Sequence, residues 1–248
     1  MSEETRKIAD RIAVWLRAYL ASAGADGYAL GLSGGVDSAT AAGLAVRAVG
    51  PDRVLGALLP CHSQPKDARL GQLVADTFGI PTVTVDLSET FDTLAEALPP
   101  FEHLLAGANI KPRLRMTALY FLAQSHNYLV LGGANKTELE VGYFTKHGDS
   151  GVDLMPLADV YKTEVWDLAR ALGVPQEVIE RPPTAGLWPG QTDEVEMGIT
   201  YDALDRTLKA IASGETDEIE PETLEKVRGM MRSSAHKRAM PPVFLIGQ

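Results

Sequence analysis

Apolar residues recur every four positions near the start of the chain, at Ile8, Ile12, Leu16 and Leu20, with Arg6, Lys7, Arg11 and Arg17 off that line. The period predicts a helix with one packed face, and Ser2 is its candidate N-cap. The pattern then changes. Tyr28-Ala29-Leu30-Gly31-Leu32 is a short apolar run, stopped by Ser33-Gly34-Gly35, and a helical run follows from near Asp37 through Val49. Short apolar runs bounded by turn residues predict buried strands. Three more occur, at 53–60, 81–87 and 128–133. Helical patterns separate them at 65–78, ended by Gly79, at 91–98, closed by Pro99-Pro100, and at 112–126. Beyond the fourth strand, 141–152 is polar and glycine-bearing, and 163–172 is helical until Gly173 and Pro175. Residues 181–198 are rich in Pro, Gly and acid and have no period. Two helices, near 200–213 and 221–234, and an extended tail, 240–248, finish the chain.

Strands alternating with helices predict an α/β fold with a mainly parallel sheet covered on both faces. In such sheets ligands sit beyond the carboxyl ends of the strands. The glycine breaks after strands one and four, Ser33-Gly34-Gly35 and Gly132-Gly133, are expected on that same edge. The aperiodic segment 181–198, about eighteen residues, exceeds the usual connection and predicts a functional loop or lid. With no internal repeat or linker, one domain spanning 1–248 is expected.

Composition narrows the partners. The 248 residues carry 33 acidic and 23 basic side chains, a formal charge of −10, which disfavours a nucleic-acid groove. One cysteine leaves no disulfide framework and no cysteine zinc site. The charged start of the chain is not a signal core, and no apolar run is long enough to cross a bilayer. A cytoplasmic protein with neither a nucleic-acid nor a membrane partner is expected.

The candidate chemistry starts at the first loop. Strand, glycine turn and helix aim backbone N–H groups and the positive helix end at an anion. No Gly-Lys-Ser/Thr follows, so the lysine of the common phosphate loop is missing. Ser33, Asp37 and Ser38 stand there instead, and a carboxylate beside phosphates calls for a cation between them, such as Mg2+. Glu138, just after the fourth strand, is either a second metal carboxylate opposite Asp37 or a solvated helix acid. Lys146 and Lys162 are phosphate contacts or plain surface lysines. Arg113 and Arg115 offer planar forks to a pyrophosphate, or form surface pairs. His236-Lys237-Arg238 is a compact positive cluster in an acidic chain, or a solvated tail. Cys61-His62 is a weak nucleophile pair, because neighbours at a strand end point to opposite faces.

Ser33-Gly34-Gly35-Val36-Asp37-Ser38 resembles the pyrophosphate loop of the N-type ATP pyrophosphatases. The later motifs choose among them. Asn109 to Met116, Glu138 to Asp153 with Gly142-Tyr143-Phe144-Thr145-Lys146-His147-Gly148-Asp149, Leu187-Trp188-x-Gly190-Gln191-Thr192-Asp193-Glu194 and His236-Lys237-Arg238 resemble the successive motifs of NAD synthetase. The lid version with Trp188 resembles a short archaeal and bacterial branch.

The resemblance implies a Rossmann-like three-layer fold and the ATP-dependent amidation of deamido-NAD by ammonia through an acyl-adenylate, with AMP and pyrophosphate as products. It implies an ATP site of Gly31, Leu32, Ser33, Gly34, Gly35, Val36, Asp37 and Ser38, joined by Gly133, Lys162 and Thr184. Asp37 and Glu138 would bind Mg2+. Arg113, Lys146, Asp153, His236 and Lys237 would contact deamido-NAD. Asp37, Glu138 and Lys162 would act on the departing pyrophosphate, and Asp153 or a lid carboxylate is the candidate proton acceptor for ammonium. Many relatives carry Thr where this chain has Gly133, so a backbone contact is expected there. A homodimer without a glutaminase domain is implied. The rivals are another amide-forming or thiolating ATP pyrophosphatase, such as a GMP-synthetase-like enzyme, and a non-catalytic nucleotide-binding module.

Overall fold

Alternation along the first strand divides the core. On β1 (Gly27–Gly31), Tyr28 and Leu30 face one side of the sheet and Ala29 the other. The computed structural model describes residues 3–100, 103–188 and 190–246. The other strands are β2 (Val54–Leu58), β3 (Thr82–Thr84) and β4 (Tyr128–Val130). Their order is β3-β2-β1-β4, and every pairing is parallel. The regular strands end before the predicted 87 and 133, although Val85 and Leu87 N–H still donate to the Leu58 and Pro60 carbonyls at 2.9 and 2.8 Å. Past β4 only Leu131 continues, in a parallel bridge to Leu154.

One face carries α1 (Glu3–Ala23), α2 (Val36–Val49), α3 (Pro65–Phe78) and later α8 (Lys162–Leu172). On α1 the fully buried line is Ala9, Ala13, Leu16 and Leu20, with Ile8 and Ile12 at its edge. A strict four-residue spacing drifts around a helix of 3.6 residues per turn, so the contact line shifts by one. The alanines let α1 lie close to α2, itself lined by Ala39, Ala41, Ala42 and Ala45. The predicted Ser2 cap lies outside the described residues. The other face carries α4 (Ser88–Ala97) and α6 (Ile110–Ser125), packed over Ala29, Ala57 and Val130, with the short α5 (Leu104–Ala108) leading into α6.

Three further short helices, α7 (Lys136–Val141), α9 (Gln176–Ile179) and α10 (Asp193–Met197), escape a periodicity reading because each is under two turns. The last two are α11 (Tyr201–Ser213) and α12 (Pro221–Arg238). The final helix continues to Arg238, past the predicted 234, so the positive cluster is its last turn rather than a loose tail. Arg238 donates to the Leu139 and Glu140 carbonyls at 3.1 and 2.8 Å, which joins α12 to the end of α7. A separate small core of Val141, Tyr201, Leu204, Leu208 and Val227 holds α7, α11 and α12 together.

Candidate active site

Past β1 the chain turns into α2, and past β4 it turns into α7, so both breaks lie at the carboxyl ends of two neighbouring parallel strands. A cleft of about 480 Å3 lies there. The breaks after β1 and β4 both line it, as the sequence predicts.

The loop after β1 is shaped for close approach. Gly34 has φ +73°, and a Cβ there would stand 2.7 Å from the Asp67 carbonyl oxygen. Only glycine takes that turn against α3 without strain. Gly35 caps α2 in extended conformation without a side-chain cap bond. The first N–H groups of α2 therefore remain for an anion. Ser38 Oγ shares a hydrogen bond with Ser33 Oγ at 3.0 Å and donates to the Gly35 carbonyl at 3.0 Å, which ties the loop to the helix.

Asp37, Glu138 and Lys162 come together from three elements. Lys162 Nζ lies 2.6 Å from Asp37 Oδ2 and 3.1 Å from Glu138 Oε1. Its side chain is only 1% exposed, so the surface-lysine alternative is excluded. Burial alone would depress the lysine, but Asp37 and Glu138 outweigh it and hold the ammonium above its ordinary value. Glu138 moves up as well, to about 7, because burial outweighs the pull of Lys162 and Asp37 adds its repulsion.

Asn135 organises this meeting point. Its side chain accepts from Glu138 N at 3.0 Å while its own N–H donates to the Glu138 carboxylate at 3.4 Å, the reciprocal cap that starts α7. Its Nδ2 donates to Asp37 Oδ1 at 2.9 Å. Asn135-Lys136-Thr137-Glu138 is readable as a capping box and is the signal a periodicity search passes over. Gly133 packs against the start of α2, where a Cβ would stand 3.3 Å from Ser38 N. Two carboxylates converging on one positive charge are the donor set a hard, oxygen-seeking ion such as Mg2+ takes, so the residues fit that ion.

The other expected residues divide. Lys237 lines the cleft and donates to the Gly142 and Phe144 carbonyls at 2.7 and 2.9 Å. Arg115 enters it too, bonded to the Leu59 carbonyl and Ser63 Oγ at 3.0 and 3.1 Å. Arg113, Lys146 and His236 form a rim outside the lining: Arg113 reaches the Lys146 carbonyl at 3.3 Å, and Lys146 Nζ the His236 carbonyl at 2.9 Å. Asp153 is not brought into the cleft. Its carboxylate accepts from Val130 N at 2.8 Å and Tyr120 OH at 3.0 Å, bracing β4. Cys61 is buried, with Sγ 3.7 Å from the Leu87 carbonyl, while His62 turns outward to Asp92 at 2.7 Å. Burial pushes the thiol up, against activation.

The aperiodic segment lies over the cleft, and Thr184 lines it. Arg181, which sequence reasoning missed, bonds the Gly34 carbonyl at 3.2 Å and pairs with Asp67. Lys111 Nζ donates to the Leu187 carbonyl at 2.9 Å. Asp193, inside α10, receives Tyr201 OH at 2.9 Å and Tyr143 OH at 3.1 Å. Burial pushes Asp193 up, and it keeps both phenols protonated and donating.

Residues 8–241 match the family described as NAD synthase. The chain is 46% identical over 248 residues to the NH(3)-dependent NAD(+) synthetase of Carboxydothermus hydrogenoformans, covering 98% of each. It is 46% identical over 239 residues to that of the archaeon Archaeoglobus fulgidus, covering 96% of each. Among solved structures, the NMN synthetase of Francisella tularensis superposes with a TM-score of 0.88 at 34% identity, covering 97% of this chain and 99% of that one.

Proposed function

The chain belongs to the NAD synthase family, and from that premise we propose how its own residues carry out the ATP-dependent amidation of deamido-NAD to NAD. Ammonia is the nitrogen donor, as in the relatives named NH(3)-dependent. The nicotinate carboxylate attacks the α-phosphorus of ATP, and pyrophosphate leaves. Ammonia then attacks the acyl carbon, and AMP leaves with the former carboxylate oxygen.

The observation that carries the assignment of roles is the convergence of Asp37, Glu138 and Lys162 beside the open start of α2. The free N–H groups of α2 and the Ser33–Ser38 loop would take the β- and γ-phosphates. Lys162 would stabilise charge as pyrophosphate departs. Asp37 and Glu138 would hold Mg2+, which when bound offsets phosphate charge. Lys237 and Arg115 on the cleft wall, with Arg113, Lys146 and His236 on its rim, would receive deamido-NAD. The segment over the cleft would exclude water from the acyl-adenylate.

The rim residues also support a homodimer. Arg113, Thr117 and Phe121 form one exposed stripe along α6, four residues apart, and Phe121 is 71% exposed. A second copy on that stripe would close the deamido-NAD site.

The test is a reaction containing ATP, Mg2+, ammonium and deamido-NAD, with NAD, AMP and pyrophosphate measured together. Equal amounts of all three are expected. ADP in place of AMP would overturn the chemistry. Because one solved relative is named for NMN, a parallel reaction takes nicotinate mononucleotide as acceptor, and slower turnover is expected there. The reverse preference would overturn the assigned acceptor.

A further inference from the structure

Asp193 is the first residue of α10 and only 4% exposed. Both of its carboxylate oxygens are taken by phenols from outside its own segment, Tyr201 OH on Oδ2 and Tyr143 OH on Oδ1. Tyr201 opens α11, is 1% exposed, and carries the Lys162 ammonium 4.8 Å from its ring centroid. Tyr143 follows α7 and shares its single O–H between Asp193 Oδ1 at 3.1 Å and Glu196 Oε2 at 2.7 Å. Gln191 donates to the same Glu196 at 2.7 Å and accepts from Leu187 N at 2.8 Å. A continuous line of hydrogen bonds thus runs from Leu187, above the cleft, to the residue beneath Lys162.

We propose that Asp193 is a positioning residue that pins the end of the lid to the Lys162–Glu138 centre through Tyr201 and Tyr143, and thereby governs how well the acyl-adenylate is kept from water. This rests on the reading of function given above. Asp193 borders the cleft, but both of its oxygens are engaged by phenols, so its role is positional. Its effect falls on the partition of the intermediate. Ammonia at the acyl carbon expels AMP and leaves the amide. Water at the same carbon also breaks the bond to the AMP oxygen, but it regenerates the nicotinate carboxylate and gives its proton to solvent. ATP is then spent without NAD. The ratio of AMP to NAD reports this partition, whereas a general loss of folded enzyme lowers both in proportion.

The experiment measures AMP and NAD in the same reaction over a range of ammonium concentrations, for the wild type and for Asp193→Asn, Tyr201→Phe and Tyr143→Phe. Asparagine can accept one phenol but not both. Each phenylalanine removes one donor, and Tyr201→Phe keeps a ring beneath Lys162. A wild-type ratio of one is expected, with the variants at about twofold or more at low ammonium, falling toward one as ammonium rises. Ratios of one at every ammonium concentration in all three variants, or equal falls in AMP and NAD, would overturn the proposal. If Asp193→Asn does not fold, the two tyrosine variants decide. A wild type that makes no NAD would instead overturn the reading of function, which separates the two failures.

Discussion

Lys162 stands where two carboxylates meet, and its charge is needed in both directions. Lys162→Met keeps most of the side-chain volume and leaves Asp37 and Glu138 facing each other. Removing one partner of such a buried group costs about 3–5 kcal/mol. A clearly lower melting temperature is expected, with Mg2+ recovering more stability in the variant than in the wild type; melts with and without Mg2+ check this. Glu138 adds a pH signature to the metal-free protein. Its folded value is about 7 against an ordinary 4.5, so the folded state keeps a proton that the unfolded chain gives up. That contribution to stability is full below 4.5 and is lost as pH rises through about 7. Urea unfolding over this range should show falling stability, and Glu138→Gln should flatten the slope; an unchanged slope would contradict the burial argument. At this scale the sequence is informative for Asp37 and Glu138, which directly follow the two glycine breaks. It places Asp193 in the lid motif without its partners and is silent on Arg181, because Tyr201 and Asp67 lie on other elements. Asp153 departs from its expected place for the same reason: its partners are Tyr120 and a β4 amide, and no local pattern announces them.

At the scale of elements, α7 is six residues long and owes its start to Asn135. Asn135→Ala removes the cap, at about 1 kcal/mol, and also the bond to Asp37. A modest loss of stability with a raised KM for ATP is the expected result in urea melts and initial-rate kinetics. A change in stability alone would confine Asn135 to folding. Cys61 sits at the carboxyl end of β2 with its thiol buried and raised. Cys61→Ser should keep near-normal turnover, and alkylation of the native protein at pH 8 should be much slower than in urea. The main strands and long helices are legible because their apolar periods run long enough to recur. The short helices are not, and the bounds of strands three and four are less legible because regular parallel pairing depends on a neighbour that the local pattern does not contain.

Across the whole molecule, the strand order β3-β2-β1-β4 explains why two distant glycine motifs become one site. Among the described residues no helix is long and apolar enough to cross a membrane. The exposed stripe of α6 predicts assembly: light scattering should give about twice the 26.6 kDa of one chain, and Phe121→Arg should shift it toward the monomer and raise KM for deamido-NAD more than for ATP. A wild-type monomer with full activity would remove the second copy from the site. The central claim is that the nicotinate carboxylate is joined to the α-phosphorus before ammonia arrives. Deamido-NAD labelled with oxygen-18 in that carboxylate tests it directly. Adenylation predicts AMP carrying one labelled oxygen and unlabelled pyrophosphate. Unlabelled AMP, or label in inorganic phosphate alongside ADP, would contradict it.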